Sequence, residues 1–133
     1  MSENLDLVRS IVASWERGDM LSDEWSEWAH PQIEIVVVGG PEPSRHVGLA
    51  DAAPHIQAYL GFWDNYRVHA EEYRELDDER VLVLTCQTGR GKSSGLETSQ
   101  RRATLFHIRD CKITRRVNYW DRDRAFADLG LKE

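Results

Sequence analysis

The chain has 133 residues with 41% hydrophobic and 30% charged content, which allows one domain, spanning residues 1–133, with a real hydrophobic core. Its formal net charge of -6 argues against a nucleic-acid partner, because phosphate binding needs a concentrated basic surface. No run approaches the roughly 20 apolar residues that span a bilayer, and the first residues are acidic where a signal peptide is basic, so we expect a cytoplasmic protein with no membrane partner.

The N-terminal third predicts two helices followed by a strand. Apolar residues recur at helical spacing over residues 5–15, which indicates an amphipathic helix. Ser22 is a predicted cap for a second, short helix, whose apolar face includes Trp25 and Trp28. The β-branched run at residues 33–38 is too short for a helix and predicts a covered strand.

The middle of the chain predicts a third helix and two strands. We read residues 40–46 as a loop that leads to a helix capped by Asp51. Strands follow at residues 67–76 and 80–88, joined by a polar turn at residues 77–79.

The last third predicts a β-hairpin. Residues 103–108 and 113–120 are β-rich runs on either side of the polar turn RDCK, and residues 121–131 close the chain as a short segment. The turn and the following segment YWDRDRAFADLGL resemble the SnoaL-like branch of the nuclear transport factor 2-like superfamily, which includes ketosteroid isomerases and polyketide cyclases. Members of that family usually have glycine where Cys111 stands.

The resemblance implies an α+β fold shaped as a cone. In this fold a strongly curved, mainly antiparallel sheet wraps around about three N-terminal helices and leaves a pocket between them. Helices gathered on one face of an antiparallel sheet agree with the predicted order of elements. Residues 81–84 are apolar at both side-chain parities, so we expect the outer face of the sheet to be covered by a second copy, in a homodimer.

The resemblance argues against steroid isomerisation by the known mechanism. Ketosteroid isomerases place a tyrosine on the first helix, an aspartate on the first strand and a protonated aspartate on the strand before the final turn. The matching segments here carry Ile11, Val36 and either Leu105 or Thr104. All three catalytic groups are therefore missing, and no aspartate matches the acid/base group of the polyketide cyclases.

The resemblance, combined with the strand period of two, predicts which side chains enter the pocket. His107 is the predicted acid/base residue, and Glu34 is the carboxylate expected to orient its ring. The predicted substrate-binding residues are Arg116, Asn118, Trp120, Tyr59, Trp63, Leu84, Leu105, Val36 and His55. We expect no metal and no cofactor, because the cysteines and histidines lack ligand spacing and the segment GKS lacks the glycine that a phosphate-binding loop needs.

These residues leave several functions open. One is a cofactor-free cyclase, isomerase or lyase that transfers a proton next to a carbonyl, with Arg116 and Asn118 holding the enolate or carboxylate oxygen of a small, apolar or carbonyl-containing ligand. A second is a noncatalytic ligand-binding protein, and a third is a dimerisation module with a filled cone. In the structural alternative, His107 is a core histidine and Arg116 neutralises Glu34.

Arginines are concentrated in the last third of the chain, as pairs at residues 101 and 102, 115 and 116, and 122 and 124. The chain has 23 acidic residues, so carboxylate partners are plentiful. We therefore expect these arginines to form ion pairs rather than an anion-binding patch.

Overall fold

Helices and a mixed sheet form the α+β fold that the sequence predicted. The computed structural model describes residues 2–19, 25–40 and 43–131. Over these residues the helices are α1 (Glu3–Glu16), α2 (Trp25–Trp28), α3 (Leu49–Leu60) and α4 (Arg122–Leu129). The strands are β1 (Ala29–Val38), β2 (Ser44–Val47), β3 (Trp63–Asp77), β4 (Arg80–Gly91), β5 (Glu97–Arg109) and β6 (Lys112–Tyr119). None of the described helices combines the length and apolar character needed to cross a membrane.

The strands form one sheet in the order β2-β1-β6-β5-β4-β3. Strands β3 to β6 follow one another as antiparallel neighbours, and β2 pairs antiparallel with β1. Only β1 and β6, among the described strands, pair in parallel, which brings the N-terminal third of the chain beside the last strand. The predicted mainly antiparallel sheet is confirmed.

Helix α1 covers one face of the sheet, which we call the inner face. Its buried side chains Val8, Ile11, Val12 and Trp15 belong to one core cluster with Phe106 and other strand residues. The Trp15 and Phe106 rings lie 5.7 Å apart. Burial of each of these large side chains contributes about 1.5–3 kcal/mol, so this cluster fixes α1 on the sheet.

Helix α4 covers the opposite, outer face, and the sequence analysis did not predict it. The Asp121 carboxylate caps its first turn by accepting a hydrogen bond from the Asp123 backbone N–H at 2.9 Å. Gly130 ends it in the left-handed conformation. Its buried Phe126 belongs to a second core cluster with Leu82, Leu105 and other residues of the outer face. The chain itself therefore covers apolar residues of the outer face with α4. The homodimer was predicted because this face was expected to need a second copy as its cover, so it stays a prediction that the burial of this face no longer supports.

Several boundaries in the first half differ from the predictions, since β1 begins at Ala29 and β3 at Trp63, each four residues earlier than predicted. Residues 44–47 form the edge strand β2 rather than a loop, because pairing with β1 supplies the hydrogen bonds that this polar sequence does not signal. Asp51 lies in the first turn of α3 rather than at its cap, yet its carboxylate still accepts a hydrogen bond from the Val47 backbone N–H. The cap predicted at Ser22 and the side chain of Trp25 lie outside the described residues.

The covering role of α4 can be measured with Phe126→Ala. The Phe126 side chain is 7% exposed, so its truncation should lower the free energy of unfolding by about 3 kcal/mol in urea denaturation. The matched control Arg124→Ala changes an exposed residue of the same helix and should stay within about 0.5 kcal/mol of wild type. Equal effects of the two substitutions would show that α4 does not cover the sheet.

Candidate functional site

A cavity of about 100 Å³ lies on the inner face, beneath α3. This space holds several water molecules or a small organic group. Its aromatic walls come from α1, α3, β3 and the end of β6: Trp15, Tyr59, Tyr66 and Trp120. Its polar side chains come from three adjacent strands: Gln87 of β4, Arg102 and Thr104 of β5, and Arg116 and Asn118 of β6. Apolar walls with a few polar groups are the usual form of a small-molecule site.

Arg102 is the most constrained of the polar residues. It is only 6% exposed, and its Nη1 donates hydrogen bonds to Tyr59 Oη at 2.8 Å and to Gln87 Oε1 at 3.2 Å. The guanidinium carbon lies 3.7 Å from the centre of the Trp120 ring, a close cation–π contact. Its Nε and Nη2 are buried and have no hydrogen-bond acceptor within the described parts of the chain. These two nitrogens form one edge of the guanidinium, the kind of fork that binds a carboxylate with two parallel hydrogen bonds.

Arg116 is the second buried guanidinium of the cavity. It is 6% exposed, and its guanidinium carbon lies 5.1 Å from the centre of the Trp15 ring. Burial lowers the pKa of Arg116 to about 10, so the group is still charged at neutral pH. Among the described lining residues there is no aspartate, glutamate or histidine. The described lining of the cavity therefore includes two cationic side chains and no anionic one.

A hydrogen-bond network joins the tyrosines to Arg102. Tyr66 Oη donates to Gln87 Oε1, which is also an acceptor for Arg102. Burial, followed by the neighbouring Tyr59 hydroxyl, raises the pKa of Tyr66 far above its ordinary value, against the opposing effect of the two arginines. Tyr66 is thus a fixed, neutral donor, and Tyr59 is held by the Arg102 guanidinium.

Four predicted binding residues line the cavity: Tyr59, Arg116, Asn118 and Trp120. The Asn118 Oδ1 accepts a hydrogen bond from Thr104 Oγ1 at 3.3 Å. Two further predicted residues lie nearby but are not among the described lining residues. The Trp63 ring packs behind Tyr59, with the ring centres 6.2 Å apart, and the His55 ring lies 4.7 Å from that of His46.

The remaining predicted residues face away from the cavity, so the prediction of their side-chain direction is wrong. These residues lie on the outer face: His107, Glu34, Leu84, Leu105 and Val36. The cause is the register between β5 and β6.

Strand β6 contains one extra residue near the turn. Ile108 pairs with Ile113, whereas His107 pairs with Arg115, so Thr114 has no partner of its own in β5. This β-bulge reverses the face of every later residue of β6 relative to a regular hairpin. As a result Arg116 lies opposite Phe106 on the inner face and does not share a face with His107.

The predicted catalytic pair therefore lies outside the cavity. The Glu34 carboxylate is 2.6 Å from Arg45 Nη2 and 2.9 Å from Arg115 Nε, so its ion partner in β6 is Arg115 rather than Arg116. The hydrogen bond from Arg45 is the main cause that lowers the pKa of Glu34. Burial, followed by the charges of Arg115 and Arg80, lowers the pKa of His107. The carboxylates of Asp77 and Glu34 act on this pKa in the opposite direction but do not outweigh burial and the two arginines.

Four further side chains of the cavity were not predicted from the sequence as site residues: Tyr66, Gln87, Arg102 and Thr104. One signal was available, since Arg102 and Thr104 alternate with Phe106 and so share its face. The choice of face could not be made from the sequence, because it depended on the bulge at Thr114 and on which side α1 packs.

The Trp120 ring is held by a close approach of the backbone at Gly40. Gly40 has φ +75°, and a Cβ there would lie 2.5 Å from an atom of the Trp120 ring. The Trp120 backbone N–H donates to the Val38 carbonyl at 3.1 Å. A residue without a side chain at position 40 thus lets the loop after β1 lie directly against the ring that stacks on Arg102.

The sequence model of the SnoaL-like domain matches residues 8–116. The chain belongs to the SnoaL-like family. No curated protein sequence matches the chain at a significant level.

Solved structures share the fold of this SnoaL-like protein. TerC, co-crystallised with polyporic acid, superposes with a TM-score of 0.76 at 20% identity over 96% of this chain and 98% of TerC. A nuclear transport factor 2-like protein of unknown function from Burkholderia pseudomallei gives a TM-score of 0.78 at 15% identity over 96% and 97% of the two chains. A provisionally assigned SnoaL-like polyketide cyclase from a Jannaschia species gives 0.74 at 16% identity over 97% and 94%. At these identities the likeness shows the fold alone.

The Gly40 contact predicts a specific cost for Gly40→Ala. The matched control is Gly95→Ala, because Gly95 has a similar φ of +69° and a Cβ there meets no described atom within 4 Å. The control should lose about 1 kcal/mol from the strained backbone alone, whereas Gly40→Ala should lose about 1–3 kcal/mol more because the Trp120 ring must move. Urea denaturation followed by tryptophan fluorescence measures both. Equal losses would contradict the contact.

The lowered pKa of His107 predicts a pH dependence of folding. The unfolded chain binds a proton at the ordinary histidine pKa of 6.5, and the folded chain binds it only at lower pH. Stability should therefore fall as the pH drops through about 6.5 and level off below the folded pKa. His107→Gln should weaken this dependence, measured as unfolding free energy against pH. An unchanged profile in the variant would contradict the cause assigned here.

Proposed function

We propose that this SnoaL-like protein binds a small, planar, carbonyl-containing molecule in the inner cavity. The observation that carries the proposal is the Arg102 fork, whose Nε and Nη2 donors are buried without an acceptor in the described chain. A buried donor without a partner costs about 1–3 kcal/mol. A ligand oxygen bound there would remove that cost.

The walls of the cavity support a planar ligand. Trp120 presents its ring to Arg102, and Tyr59 stands edge-on to Trp120 at an interplanar angle of 83°. The aromatic side chains that line the cavity favour a flat, partly aromatic molecule, since edge and face contacts between aromatic rings are both attractive. TerC, which shares the fold, was co-crystallised with polyporic acid. The open volume of the cavity also favours ligand binding over a dimerisation module, because in such a module Trp63, Trp120 and Leu105 would fill the cone.

A second function, cofactor-free isomerase or cyclase, rests on one contact. Arg102 Nη1 donates to Tyr59 Oη at 2.8 Å, which places a phenolic proton carrier beside a fixed cation. If the ligand is a neutral ketone, the Tyr59 oxygen in its ionised form would take the proton from the carbon next to the carbonyl and return it to another atom of the ligand, while Arg102 and Arg116 stabilise the enolate oxygen formed in between. This role would replace the one predicted for His107.

The proposal is tested by measuring whether the protein binds a panel of aromatic carbonyl compounds that includes polyporic acid. Binding is detected by ligand-observed NMR and by tryptophan fluorescence. Val37 lines the cavity, and Val36, its neighbour in β1, belongs to the outer cluster. Val37→Phe should fill the cavity and weaken binding by about tenfold or more, whereas Val36→Phe should leave it within about twofold of wild type. Absence of binding, or equal weakening by both substitutions, would overturn the proposal.

A further inference from the structure

We infer that the ligand of this cavity is an anion, an aromatic or otherwise planar acid whose ionised oxygen group binds between Arg102 and Arg116. The inference rests on the proposed function and adds the charge of the ligand to it.

The arginines in the last third of the chain differ in whether they form ion pairs with carboxylates. Arg101, Arg115, Arg122 and Arg124 each form an ion pair with a carboxylate. Arg102 lies between these arginines in the sequence, yet it forms no ion pair with any described residue. The acceptors of its hydrogen bonds are the neutral oxygens of Tyr59 and Gln87. Among the described residues, the expectation of general ion pairing therefore fails at Arg102, which lines the cavity.

The buried charge of Arg102 also favours an anionic ligand. A buried guanidinium is unfavourable unless hydrogen bonds and opposite charge compensate the loss of water. Arg102 has partial compensation from the Trp120 ring and two neutral acceptors. No acidic side chain is present among the described lining residues. A bound anion would supply the missing charge to Arg102 and would also lie in the field of Arg116.

The unpaired edge of the Arg102 guanidinium has the shape of an anion-binding group. Nε and Nη2 present two parallel N–H bonds, which match the two oxygens of a carboxylate or the adjacent oxygens of an ionised hydroxyquinone. Both nitrogens are enclosed by protein, so binding of an anion requires the Arg102 side chain to shift and its Nη1 to give up the hydrogen bonds to Tyr59 and Gln87. Hydrogen bonds to an ionised oxygen are stronger than those to neutral oxygens and would replace them.

The test compares two probes that share a shape and differ in charge, benzoate and benzamide, with 1-naphthoate and 1-naphthamide as a larger pair. Wild-type protein should bind each acid about tenfold or more tightly than its amide, measured by NMR titration. Arg102→Gln should remove most of that preference. Arg101→Gln, the matched control, changes an exposed neighbour that pairs with Glu71 and should keep the preference.

The outcomes separate this inference from the proposed function. If panel compounds bind and Val37→Phe displaces them, but acids bind no better than amides, the anion inference fails and the cavity function stands. If no panel compound binds, both fail. The wild-type comparison needs no variant, so the inference remains falsifiable even where Arg102→Gln does not fold. Arg102→Lys, which keeps the charge but not the fork, should retain only part of the preference.

Discussion

A single extra residue in β6 decides what kind of cavity this protein has. Because Thr114 is accommodated as a bulge, Arg116 and Asn118 face α1 and α3, while Val117 and Tyr119 face α4. The Thr114 hydroxyl donates to the His107 carbonyl at 3.3 Å, at the position where the ladder is interrupted. Without the bulge, the cationic and apolar residues of β6 would exchange faces, so the bulge is a condition for both the site and the outer core.

Among the described residues, an aromatic ring and neutral oxygens take the place of a carboxylate beside the buried Arg102. Trp120 lies against Arg102, and Trp15 lies near Arg116. An aromatic ring attracts a cation without neutralising it. Gly40 contributes by allowing the loop to hold Trp120 in place. Arg102, Trp120 and Gly40 thus form one arrangement, although they come from separate segments of the sequence.

The elements that the sequence predicted well are those with a strong local pattern. Helix α1 and the long strands have many apolar residues at a clear period, and the hairpin around Asp110 has a polar turn with positive φ. The short helix α4 and the edge strand β2 have polar sequences and depend on packing and pairing. Within β4 and β5 the sequence showed which side chains share a face, such as Leu82, Leu84, Leu105 and His107, but not which face of the sheet it is. The expectation that Arg116 of β6 shares this face failed, because a bulge leaves no local signal in the sequence.

The charge of the cavity also bears on whether the protein is a catalyst. Catalysis requires that the site stabilise the transition state more than the bound ligand. Two guanidinium groups would accelerate enolisation of a neutral ketone, because negative charge on its oxygen develops during the reaction. They would give no such advantage to a ligand that is already ionised, since the same contacts are made before the reaction begins. If the cavity binds an anion as inferred above, the lack of a carboxylate or histidine base among its described lining residues favours binding over proton transfer.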